Sequence, residues 1–188
     1  MSDNRNIHAV IAIFADQSAA EQAIDSLKSW DHANAEIKLG AVGTLVKKGN
    51  KVTTHVGRMS GKGAATGAII GVIAAVLSGG LTMVGGVVRG VALGGVIGTF
   101  MKRSLNLTEA EIQAIGAELD GGKVAVVVTC DAYEIEGTTA QLSNAGGVVR
   151  VYTIPQQDLA EVDQALTAAE EPTAPPSEAP GEAEGGQM

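Results

Sequence analysis

Large aromatic side chains are nearly missing from this 188-residue chain: it holds one Trp, two Tyr and two Phe, 3% of its residues. A core of conventional ring-filled bulk is therefore excluded, and burial has to come from Val, Ile, Leu and Ala packed closely. Cysteine is reduced to Cys130, so no internal disulfide can form. It sits at the end of an apolar run with no partner Cys or His motif nearby, which reads as a buried structural thiol in a reducing compartment. Basic excess is lacking too. The formal net charge is -8 and the pI about 4.8, the reverse of the footprint a nucleic-acid binder needs. Lys47, Lys48 and Lys51 flank a turn, and Arg58, Lys62, Lys102 and Arg103 flank an apolar stretch, but neither set is interleaved with stacking aromatics. The first six residues, Met1 to Asn6, contain no apolar run, so no secretory signal is expected there.

Glycine, by contrast, is abundant, with 25 residues, and many stand in register. Gly63, Gly67, Gly71 and Gly79, with Ala75 filling the gap, step by four, as do Gly86, Gly90, Gly94 and Gly98. At helical pitch this spacing stacks the small residues into a ridge along which another helix can approach backbone to backbone. Ala64 to Met101 is almost wholly Ala, Val, Ile, Leu and Gly, with Arg89 its one charge before Met101 and a Gly79-Gly80 break. The segment reads as a helical hairpin, 61-103, packed on itself or on neighbours, in a bilayer or in the dry centre of an oligomer.

The flanks read as strands and helices. His8 to Ala15 is a buried strand; Ser18 with Glu21 has capping-box spacing and opens a helix to about Trp30, with Asp16 placed to cap it. Ile37 to Val46 and Val52 to Val56 are expected to form a hairpin about Lys48-Gly49-Asn50-Lys51. Beyond the insert, Thr108 and Glu111 repeat the capping box, Ile112, Ile115 and Leu119 line one face, and Gly121-Gly122 ends the helix. Lys123 to Cys130 is a strand followed by Asp131, then come a weak helix over Tyr133 to Asn144, a Gly146-Gly147 turn and a strand Val148 to Ile154. Setting Asp16 on Asp131 aligns strand, helix and strand in both halves, a degenerate internal repeat.

These readings predict an α+β fold, a ferredoxin-like split β-α-β sandwich of two degenerate halves with helices on one face, over 7-57 plus 105-155. The glycine-rich helical hairpin is inserted between the halves. Leu159, Val162, Leu166 and Ala169 suggest a short amphipathic helix over 156-170, and the acidic Pro/Glu/Ala stretch 171-188 is too polar to bury anything.

Catalytic patterns fail. Gly57-Arg58-Met59-Ser60-Gly61-Lys62-Gly63 is one residue short of a phosphate-binding loop and lacks the following Ser or Thr. His8, His32 and His55 are not at metal-ligand spacing. N-capping accounts for Asp16 and Asp131 without acid-base work. No catalytic, cofactor or metal residue is expected, and the chain is expected not to be an enzyme.

The order FADQSAAEQAIDSLKSW, AVGTLVKKGNKVTTH, the glycine hairpin and LTEAEIQAIGAELDGGKVAVVVTCD, with the turn Leu119-Asp120-Gly121-Gly122-Lys123-Val124-Ala125, resembles a bacterial domain family of unknown function described as predicted membrane proteins. The first half is also similar to the general-stress-protein 17M-like domain. The resemblance covers roughly residues 7 to 155 and departs from the family at Arg89 and in the Pro/Glu-rich tail. It implies a bacterial membrane-associated protein with a stress or envelope-maintenance role and no established activity.

The limbs Ala64–Gly80 and Leu81–Met101 hold 17 and 21 residues, against the roughly 20 that cross a hydrocarbon core. Arg58 and Lys62 stand before the two limbs and Lys102 and Arg103 after them, while the connecting Gly79-Gly80 carries no charge, which predicts both termini on the cytoplasmic side of the cytoplasmic membrane. Arg89 opposes insertion by roughly 2.5 to 3.5 kcal/mol and would have to line a polar lumen or meet a carboxylate. The leading expectation is a membrane-associated homo-oligomer joined through the glycine ridges, with the lipid bilayer as partner. The alternative is a cytoplasmic homo-oligomeric scaffold or ligand-binding protein with the hairpin buried between protomers.

Overall fold

The computed structural model describes residues 8–48, 51–58, 70, 73–74 and 108–155. In chain order these form β1 (His8–Phe14), α1 (Gln17–Ala33), β2 (Ala41–Lys48), β3 (Lys51–Arg58), α2 (Glu109–Asp120), β4 (Val124–Cys130), a 3-10 turn (Ala132–Glu134), α3 (Ile135–Asn144) and β5 (Val148–Thr153). The fold is α+β. One five-stranded sheet runs in the order β3-β2-β4-β1-β5, and every neighbouring pair is antiparallel.

The centre of the sheet is fixed by its two most apolar strands. HAVIAIF and VAVVVTC are buried at every position, and they pair from His8↔Cys130 to Phe14↔Val124. A strand apolar on both faces has to be covered on both. One face carries Val10, Ala12, Phe14, Val126 and Val128 and packs against Ala20, Ala23 and Leu27 of α1 and Leu142 of α3. The other carries Ala9, Ile11, Ile13, Ala125 and Val127 and packs against Ile112, Ile115 and Leu119 of α2, together with Ile70, Ile73 and Ala74. Helices on one face only was therefore the wrong expectation: the sheet is sandwiched. Full burial of a side chain such as Phe14, Ile11 or Leu27 stabilises by about 1.5–3 kcal/mol, so neither layer is dispensable.

The internal repeat is visible in the pairing. β1 is flanked by β4 and β5, and β4 is flanked by β1 and β2, so exchanging β1 with β4 and β5 with β2 reproduces the order. β3 is the extra strand, paired with β2 from Ala41↔Arg58 to Lys48↔Lys51.

Several local boundaries differ from the sequence reading; β2 and β3, for instance, run on to Lys48 and Arg58. The cap of α1 is Asp16, whose carboxylate accepts the Ala19 N–H at 2.8 Å; Ser18 lies inside the helix. The helix runs to Ala33, where Asn34 closes it. β2 starts at Ala41 rather than Ile37: the Ile37 N–H turns back to the Asn34 carbonyl at 2.9 Å, and the next two N–H groups are taken by side chains. Glu134 accepts from Lys38 at 2.6 Å and Asp31 accepts from Leu39 at 3.1 Å. The Thr108/Glu111 capping box of α2 is formed reciprocally, at 2.9 Å and 3.2 Å.

Candidate functional site

The helix-packing ridge Gly63, Gly67, Gly71, Gly79, Gly86, Gly90, Gly94 and Gly98 lies outside the described residues, as does Arg89. So do the expected helix over 156-170 and the tail 171-188. The insert enters the description at Ile70, Ile73 and Ala74, which are helical and have relative exposures of 0%, 0% and 2%. They join the core cluster of Ile11, Leu45 and Ile115. Ile70 sits on β2 where that strand has no side chain. A Cβ added at Gly43 would lie 2.8 Å from Ile70 Cγ2 and 3.1 Å from the His55 carbonyl oxygen. This is a close approach permitted by glycine, but the glycine is on the sheet and the isoleucine on the insert. Gly137 performs the same office between α1 and α3, with a Cβ there only 2.5 Å from Trp30 Cζ2. Sequence reasoning missed both because their partners are remote in the chain. Among the described residues, no helix is long and apolar enough to cross a membrane.

Where β2 and β3 extend past α1, an open cleft of about 620 Å³ forms. Its apolar lining includes Ile24, Val42 and Val46, with Glu21, Asp25 and Lys28 on the helix side and Lys48 and His55 on the strand side. Lys28 pairs with Asp25 at 3.4 Å, and Glu21 accepts from Gln17 at 2.8 Å. The cleft is open to solvent and lined by side chains of both charge signs.

At the far end of the sheet a knot of polar groups ties the two halves. Glu134 is fully buried, and its carboxylate accepts the Lys38 and Asp131 N–H groups at 2.6 Å and 2.8 Å. The Thr129 hydroxyl accepts the Ala41 N–H at 2.7 Å, and the Tyr133 hydroxyl donates to the Glu36 carbonyl at 3.2 Å. The signal for Glu134 was present: it follows Asp131 at the same three-residue spacing as Glu111 after Thr108.

Three candidate reactive groups meet there without forming a reactive set. Cys130 and His8 are directly opposite in the β1–β4 ladder, and His8 Nδ1 is 3.3 Å from Thr153 Oγ1. Burial first, and then the negative charge of Glu134, pushes the Cys130 thiol up to about 12. A thiol held protonated is neither nucleophile nor metal ligand. Desolvation holds His8 below its ordinary value, opposed by Asp131. Asp131 is the N-cap residue of the 3-10 turn. His8, His32 and His55 stand on β1, α1 and β3, and no group of three His, Cys, Asp or Glu among the described residues is placed to hold a metal ion.

Compared with known protein families, with curated proteins and with solved structures, the chain finds no match.

Proposed function

We propose that this chain is a non-enzymatic, self-assembling protein in which a ferredoxin-like domain carries a glycine-rich helical insert that packs against protein rather than lipid. The strand order β2-β4-β1-β5 with α1 and α3 on one face supports the ferredoxin-like reading, with β3 and α2 as additions. The observation that carries the functional reading is the burial of Ile70, Ile73 and Ala74 against the sheet. A two-span hairpin needs all of Ala64–Gly80 to reach across roughly 30 Å of hydrocarbon. With three of its central residues committed to the domain core, that limb is too short to do so. The glycine ridges, and Arg89 beside Gly90, are then left to meet other copies of the insert, where a carboxylate can neutralise the arginine. This favours the homo-oligomeric assembly over the membrane-inserted one, and the stress or envelope role implied by the family resemblance gains nothing further.

The test is extraction followed by mass measurement. Recovery of the full chain as an oligomer in detergent-free buffer is the expected result, and recovery only with detergent would refute the reading. Gly67→Leu, Gly90→Leu and Gly94→Leu should each reduce the assembled mass, because a leucine on the ridge holds helices apart. Unchanged mass in all three would remove the ridge from the assembly.

A further inference from the structure

We propose that the outer edge of β5 is a second interface, independent of the insert, at which two copies of the chain pair antiparallel into a continuous ten-stranded sheet. Sheet edges offer unpaired N–H and C=O groups, and proteins guard them with charge, proline, bulges or a covering element. Among the described strands β5 pairs only with β1. Its sequence VVRVYT contains no proline and no acidic residue. Val148 and Val151 are 57% and 42% exposed, two of the four large apolar side chains most open to solvent among the described residues. The single charge that could guard the edge is Arg150, and it is drawn onto α2, with Nη2 3.3 Å from Glu118 Oε1. The opposite edge, β3, has one open apolar side chain, Val56 at 46%, beside Thr53, Thr54 and His55, and its sequence carries a basic residue at each end, Lys51 and Arg58, a more polar and better guarded edge.

The occupant follows from self-complementarity. A twofold axis perpendicular to the sheet keeps each face on its own side, so strand positions pair only with positions of the same parity. Two registers then use most of the strand. Centring on residue 150 sets Arg150 against Arg150, and like charges directly opposite destabilise a ladder. Centring on residue 151 sets Val151 on Val151, Arg150 against Tyr152 and Val149 against Thr153, with no like-charge pair. A second copy of β5 is thus a fitting partner in one register.

Disulfide trapping in the full-length chain tests this, in a Cys130→Ala background. Cα atoms of directly opposed residues are about 4.5–5.5 Å apart, within disulfide reach. Val151→Cys should therefore convert to a covalent dimer under mild oxidation. Val148→Cys and Val149→Cys, displaced from the axis, should remain monomeric on reducing-agent-free gels. Random collision predicts the opposite order, because Val148 is the more exposed. Equal or greater crosslinking at Val148, or none at Val151, overturns the proposal. As a second readout, Val151→Lys should halve the mass contributed by this interface at unchanged circular dichroism, and an unchanged mass overturns it. The trapping should persist in the Gly67→Leu and Gly90→Leu variants, so failure of the insert assembly and failure of the edge pairing give different results.

Discussion

The two faces of the sheet are covered by different means. Under α1 and α3 the cover is two helices, each the next helix after one of the central strands, and the Trp30 ring approaches Gly137 between them. On the other face the cover is α2 plus Ile70, Ile73 and Ala74 from the insert. α2 is pinned at its end by Lys47–Asp120 at 2.6 Å and by Arg150–Glu118 at 3.3 Å, pairs reaching strands on either side of the two central ones. Partly exposed pairs of this kind contribute about 0.2–1 kcal/mol each, too little to replace apolar cover. Ile70, Ile73 and Ala74 of the glycine-rich insert thus belong to the domain's own core.

The sharpest way to break that comparison is to truncate one residue on each side. Leu27→Ala, on the buried side of α1, and Ile70→Ala, from the insert, should each lower the unfolding free energy by about 2–5 kcal/mol in urea denaturation. If Leu27→Ala costs this much and Ile70→Ala costs nothing, the insert is not core and the second face has another cover. Next in size are the two glycines under bulky partners. Gly43→Ala should cost about 1–3 kcal/mol through overpacking against Ile70. Gly137→Ala should cost less, because about 1 kcal/mol of helix propensity gained in α3 offsets part of the clash with Trp30. Combining Gly43→Ala with Ile70→Ala should cost less than the sum, since the shortened side chain makes room for the new methyl.

The smallest effect separates the faces by pH. His8 lies on the α1 and α3 side, and desolvation depresses its folded value below the unfolded 6.5. Its neutral form is then favoured on folding, so its contribution is intact above pH 6.5 and is lost as pH falls toward the folded value. Melting temperature should drop between pH 7.5 and 5.5, and the drop should be smaller in His8→Gln. An equal slope in both proteins would show that burial of the imidazole is not what the acid limb reports.

Much of this architecture was legible in order and type. Continuous apolar runs at residues 8–14 and 124–130 announced the central strands, and the Thr108/Glu111 spacing announced the start of α2. The same runs carried the information that both faces are buried, which the one-sided helix arrangement overlooked. Ile37 and Leu39 looked like strand because their side chains are apolar, but strand formation there was decided by Glu134 and Asp31, which take the Lys38 and Leu39 N–H groups. Contacts such as Gly43 with Ile70 and Trp30 with Gly137 depend on tertiary approach, for which one sequence has no local signal. The cleft was hidden for a related reason: it exists because β3 overhangs α1, a matter of sheet width rather than of any motif.

The strand order has a consequence for synthesis. β1 leaves the ribosome early, yet both of its hydrogen-bonding neighbours, β4 and β5, are made after residue 123. At about 5–20 residues per second, a strand greasy on both sides waits several seconds for its first neighbour. The nascent first half is therefore the stage at which chaperone protection matters most for this chain.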